Sequence, residues 1–150
     1  MLKTTLWHGP EGFGFFVCDP EFRESIDADA SDEAWANRFA ARRGFVKICV
    51  VSEFSEIPIT VEFDQSGPSP IDDAVWDRVV ECSIETRSNA LAFESAVGDE
   101  FGRLEVPAGL YRVRVCYGGQ TTKQHSGESE DFYLIQIWPS DDLSTAHLRP

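Results

Sequence analysis

The stretch Glu56–Asp64, EIPITVEFD, alternates strictly: Ile57, Ile59, Val61 and Phe63 fall on one side, Glu56, Thr60 and Glu62 on the other. A period of two is the signature of a half-buried β-strand, because successive side chains leave the pleat on opposite faces. The pattern recurs in RVVECSIET, where Val80, Cys82 and Ile84 oppose Glu81, Ser83 and Glu85, and in GLYRVRVCYG, where Tyr111, Val113, Val115 and Tyr117 share a face. FVKICVV, NALAFES, GRLEV and EDFYLIQIWP read as further short strands separated by turns. About nine strands with no strand–helix alternation predict an all-β fold, an antiparallel β-sandwich. Pro58 predicts an edge strand or an entry bulge. PAGLYRV predicts a tyrosine corner, in which the Tyr111 hydroxyl caps backbone just upstream.

One helix interrupts the strands. In SDEAWANRFAARRG, Trp35 and Phe39 lie four apart with Ala36 and Ala40 beside them, predicting a helix over roughly 31–43 with both rings pressed into a sheet. Asp29 or Ser31 would cap its start, Asp32 and Glu33 would oppose the dipole, and Arg42, Arg43 and Gly44 would suit its end. The acidic run before it is not a calcium loop. With Asp27 at position 1, the turn glycine is replaced by Asp32 and the bidentate glutamate by Arg38.

The N-terminal LWHGPEGFGFF is locally similar to the aromatic strand of a cold-shock domain. The residue before the first glycine is Glu11 rather than a lysine, and the second aromatic motif is replaced by DPEFRESIDADASDE. A β-hairpin turning at HGPEG, with Phe13, Phe15 and Val17 on one face, is the expectation. The expected core comprises Trp35, Phe39, Ile57, Ile59, Val61, Phe63, Val80, Ile84, Tyr111, Val113, Val115, Ile135 and Ile137.

At 150 residues the chain fits a single sandwich domain, 1–150, with 140–150 as a polar tail. Its 26 acidic against 13 basic residues give a net charge of −13. Phosphate backbones repel such a chain and basic proteins attract it, so no nucleic-acid partner is expected. No apolar run is long enough for a membrane span or a secretory leader, which makes the cytoplasm the expected location. Cys18, Cys49, Cys82 and Cys116 lack Cys-x-x-Cys spacing and sit mostly in apolar alternating runs, as buried reduced thiols do.

No phosphate loop and no Gly-x-Ser-x-Gly nucleophile occurs, and His8, His125 and His147 have no ligand at metal spacing. The expectation is a non-enzyme with no cofactor and no metal. Paired carboxylates such as Asp141 with Asp142 are expected solvated turns.

DEAWANRFAARRGFVKICVV, WDRVVECSIETRSNALAFES, GRLEVPAGLYRVRV and DFYLIQIWP, in that order after an N-terminal hairpin, resemble the competence protein ComJ family. The resemblance implies a small acidic protein that inhibits a DNA-entry nuclease. The best reading is therefore a protein-binding or inhibitor module acting on a basic partner. The alternative is a small-ligand sensor whose pocket is lined by Trp7, Phe13, Trp76 or Trp138. Loops 64–77 and 119–131 are the candidate protein-binding surface, through Asp64, Asp72, Asp73, Asp77, Glu128, Glu130 and Asp131, with Lys123 nearby. If both project from one end of the sheets, they form an acidic patch; if they face opposite ends, they serve only solubility.

Single-stranded DNA or RNA should not bind at physiological salt; micromolar binding that disappears in Phe13→Ala would restore the cold-shock reading.

Overall fold

The computed structural model describes residues 1–9, 13–21, 28–52, 56–122 and 129–149. The alternating segments form strands, eleven among the described residues: β1 (Leu2–His8), β2 (Gly14–Cys18), β3 (Phe39–Arg42), β4 (Phe45–Cys49), β5 (Ile57–Phe63), β6 (Arg78–Thr86), β7 (Ala90–Ser95), β8 (Glu100–Glu105), β9 (Gly109–Gly118), β10 (Phe132–Pro139) and β11 (Ala146–Arg149). They build a six-stranded sheet, β1-β5-β10-β9-β6-β11, and a five-stranded sheet, β3-β4-β2-β7-β8. All pairings are antiparallel except β5 with β10, which run parallel from Ile59–Tyr133 to Phe63–Ile137. The fold is the expected β-sandwich.

The core lies between the sheets. Ile57, Ile59 and Val61, Val80 and Ile84, Tyr111 to Tyr117 on alternate positions, and Ile135 and Ile137 meet Phe15, Val17, Ile48, Leu91 and Phe93 of the other sheet. Of the expected core only Trp35 is exposed, at 66%, and Phe63 is partly buried at the margin. The tyrosine corner is present: the Tyr111 hydroxyl donates to the Pro107 carbonyl at 2.5 Å.

Several local expectations need correction. The helix, α1, spans Ala28–Asn37, not 31–43. It stops where Arg38 takes a left-handed φ of 68°, and the Arg38 carbonyl is claimed by Cys49 N and the Tyr117 hydroxyl. Phe39 then starts an edge strand, with Phe39 and Ala41 toward the inter-sheet core and Ala40 on the outer side. The alanines hid a period of two inside an apparently helical stretch. α1 packs through Ala30 and Ala34, one turn apart, onto Phe16, Cys18, Ala40, Phe45, Cys49 and Ala92. Small side chains let it lie close to the sheet, and Trp35 is rotated outward.

β1 and β2 are not a hairpin. β1 pairs with β5 at an edge of one sheet, whereas β2 lies between β4 and β7 in the middle of the other. Polarity explains the separation: LKTTLWH is mostly exposed, and every residue of GFFVC is buried. Residues 10–12 of the expected turn lie outside the described residues. β5 is an interior strand, so Pro58 does not mark an edge; pairing with β10 starts at Ile59, one residue later. The C-terminal segment is not a free tail, because β11 pairs with β6 and the Asp142 and Ser144 carbonyls accept from the buried Arg112 guanidinium.

Urea denaturation separates the two predicted core aromatic or aliphatic classes. Ile135→Ala should cost ~2–5 kcal/mol. Trp35→Ala should stay within about 0.5 kcal/mol, since an exposed side chain loses little on truncation.

Candidate functional site

The order of the strands dictates where the loops go. To reach β6 from β5, residues 64–77 must cross the outer face of β10 and β9. The loop starts at the far end of the sandwich, where Asp64 N donates to the Ile137 carbonyl at 3.1 Å. Midway, the Ser69 carbonyl accepts from Gln136 Nε2 at 2.9 Å. Ile71 and Trp76 cover Val79, Cys116 and Leu134, with the Trp76 ring 5.3 Å from that of Phe132. It finishes at the end where β6 and β10 begin. There Asp77 N donates to the Tyr117 carbonyl at 2.8 Å, and Asp77 Oδ2 accepts from Gln120 N at 2.9 Å.

That last bond joins the two loops. The second leaves β9 through Gly119, whose φ of 64° is left-handed and whose α-carbon would place a β-carbon 2.5 Å from the Glu130 carbonyl oxygen. Only glycine fits this approach. Thr122 Oγ1 then accepts from Glu130 N at 2.7 Å and donates to the Gly119 carbonyl at 2.6 Å. The loops therefore meet at one end, with Asp77 and Glu130 exposed there and Asp72 and Asp73 exposed on the preceding stretch. Asp72 Oδ1 holds a tight turn by accepting from Ala74 N at 3.0 Å. Glu128 and Lys123 lie outside the described residues.

Two of the seven expected carboxylates do not join this surface. Asp64 sits at the opposite end, where Oδ1 accepts from Ser66 N at 2.9 Å. Asp131 is only 1% exposed. Its Oδ2 accepts from Val51 N at 3.0 Å, Ser52 N at 3.4 Å and the Tyr133 hydroxyl at 2.6 Å, and its Oδ1 accepts from Ser129 Oγ at 2.6 Å. Burial, and then the Asp131 charge, hold the Tyr133 phenol far above its ordinary pKa. Asp131 is thus a buried acceptor for backbone, not a charge offered to a partner. The spacing Ser129-x-Asp131-x-Tyr133 carried the signal: in extended chain these three polar side chains fall on one side.

Two other acids, Glu62 and Glu81, are paired on the outer face of the larger sheet. A row runs from Lys3 to Glu62 at 3.7 Å, Glu62 to Gln136 at 3.0 Å, Gln136 to Arg114 at 3.2 Å, and Arg114 to Glu81 at 2.9 Å. Arg112 reaches Glu81 at 3.6 Å. Elsewhere, hydrogen bonds from Arg43 hold the Glu85 carboxyl below the usual range, and Arg103 does the same for Glu100.

The thiols are all free and buried, and burial pushes Cys82 and Cys116 up to about 12. His8 is buried, with Nε2 3.1 Å from the Gly14 carbonyl and its ring stacked on Phe101. His147 lies exposed on β11 against Phe39, and His125 is outside the described residues. Among the described residues no cluster of three or more His, Cys, Asp or Glu could hold a metal ion. Nor is any helix among them long and apolar enough to cross a membrane. Two surface pockets, of about 430 and 460 Å³, lie beside Arg43 and Leu143 and beside Leu6 and Leu104; neither is lined by Trp7, Phe13, Trp76 or Trp138.

No protein-family model matches the chain, and no curated protein matches it. Solved structures do. The fold is similar to that of ComJ from Bacillus subtilis, described as an inhibitor of the DNA-degrading activity of NucA. The TM-score is 0.66 at 16% identity, covering 93% of this chain and 96% of that one. A protein described as crocagin biosynthetic gene J matches with a TM-score of 0.59 at 15% identity, covering 93% and 99%. The resemblance to ComJ read from the sequence is thus a likeness of fold over nearly the whole chain.

Removing the Asp131 carboxylate would leave two backbone N–H groups and a phenol unpaired. Asp131→Ala should therefore destabilise by about 3 kcal/mol or more. Asp72→Asn should be nearly neutral in the same urea titration, because asparagine can hold the same turn.

Proposed function

We propose that the protein is a non-catalytic, cytoplasmic binding module that occupies a basic protein surface, as an inhibitor of a nuclease. The observation that carries this reading is the fold likeness to ComJ, an inhibitor of the DNA-degrading activity of NucA. Fold alone does not transfer function, so the charge is the second support. The chain carries −13, and Asp72, Asp73, Asp77 and Glu130 stand exposed around the junction of the two loops. Such a surface accelerates encounter with a basic partner and is screened by salt. It would work by covering the partner, with no bond made or broken.

Inhibition of DNA degradation by NucA is the direct assay, with ComJ as the positive control. The full chain should inhibit at a near-stoichiometric ratio, less strongly as salt rises. The triple variant Asp72→Asn, Asp73→Asn, Glu130→Gln should slow association several-fold with unchanged folding stability. Undiminished nuclease activity in excess protein at low salt would overturn the inhibitor reading, and an unaltered on-rate in the variant would remove these loops from it.

A further inference from the structure

The one large aromatic that breaks the core pattern is Trp35. It sits in the last turn of α1, 66% exposed, while the neighbouring Ala34 is completely buried. A helix that buries alanines and turns a tryptophan to solvent is reversed from what its own stability requires. Such violations of local consistency are expected where a surface serves binding. Phe13 stands beside it, its ring edge-to-face with Trp35 at 6.3 Å and 81°. Phe13 has a φ of 58°, a left-handed conformation rare for an aromatic residue.

These rings lie at the same end of the sandwich as the loop junction. Arg78, which follows Asp77, donates through a guanidinium nitrogen to the Asn37 carbonyl at 2.5 Å, two residues beyond Trp35. Asp77 and Glu130 stand exposed at the loop junction, and Asp32 and Glu33 are exposed on α1. The cations around it have partners of their own: Arg42 is on Glu33 at 3.2 Å, Arg78 lies over the Tyr117 ring at 5.9 Å, and Lys47 lies over the Phe16 ring at 5.6 Å. Arg38 is half-buried below.

We infer that Trp35, backed by Phe13, is the anchor of a protein-docking surface at this end, receiving a lysine or arginine of a basic partner over its ring. This inference rests on the basic-partner reading above and adds the contact residue. A tryptophan face attracts a cation through its quadrupole. Tryptophan at the centre of a contact is also the commonest kind of residue whose truncation weakens binding. Asp32 on α1 and Asp77 and Glu130 at the loop junction would steer the same cation without competing for the ring face.

The probe is a hexa-arginine peptide at low salt, titrated into the full-length protein with the four tryptophan indole N–H signals followed by nitrogen-edited NMR. The Trp35 signal, assigned through Trp35→Phe, should shift most, and Trp35→Ala should weaken binding about fivefold, with Trp35→Phe retaining most of it. Trp7→Ala, another exposed tryptophan on the opposite sheet, should bind as the unaltered chain does. If the peptide binds with the Trp35 signal still and Trp35→Ala unaffected, the anchor is refuted while the basic-partner reading stands. If the peptide does not bind at all, the basic-partner reading fails and the anchor with it. Thermal unfolding of each variant separates a lost contact from a lost fold.

Discussion

Asp131 fixes one end of the sandwich. A carboxylate removed from water is tolerated only when its lone pairs are met, and here backbone N–H groups beyond β4 and hydroxyls of Ser129 and Tyr133 meet them. The donors come from both layers, since β4 belongs to one sheet and β10 to the other. Asp19 does the corresponding work at the opposite end, where its carboxylate accepts from Glu21 N, Arg87 N and the Ser88 hydroxyl just after β6. Apolar packing between sheets is non-directional and permits sliding. The two buried acids are directional, and they set how the sheets are registered at their ends.

With the ends pinned, charge divides into two populations. Glu62, Glu81, Glu85 and Glu100 are matched by cations on the sheet faces. Asp72, Asp73 and Asp77 of the β5–β6 crossover and Glu130 before β10 stand exposed instead, at the loop junction or on the stretch leading to it. ComJ and the crocagin protein share this chain's architecture at 16% and 15% identity. Identity so low can preserve an apolar pattern while every surface residue differs, which is why the recognition surface has to be argued from this chain's own side chains.

The parts of the fold legible in the sequence were those in which one face is buried and the other wet. β5, β6 and β9 alternate strictly, and the structure places Ile57, Val80 and Tyr111 inward as the alternation requires. Legibility failed where polarity carried no period. Phe39-Ala-Ala-Arg has alanine on both faces and so fits helix or strand; the competition was decided by an open sheet edge beside β4. β2 is apolar on both faces, so its position in mid-sheet could not be read from an alternation it lacks. β11 has three exposed residues of four and owes its place to β6 and to the Arg112 contacts with the segment before it. The acidic loops were recognisable as loops, but their meeting at Asp77 and Gln120 depends on which strands are neighbours, a long-range property. Asp131 looked like one more solvated acid because its backbone donors lie about eighty residues earlier in the chain.

The parallel pairing of β5 with β10 has a consequence for how the chain is assembled. Their partners Ile59 and Tyr133 are some seventy residues apart, and β1 must wait for β5 as well. As the chain emerges, β2 can meet β4 early, whereas β5 remains without its inner neighbour until β10 has been made. Closing that long loop is an entropic toll levied before any contact rewards it, so the larger sheet is expected to complete late. Until then the apolar sides of β5 and β9 are open, and a high negative charge is what keeps half-assembled copies from finding one another.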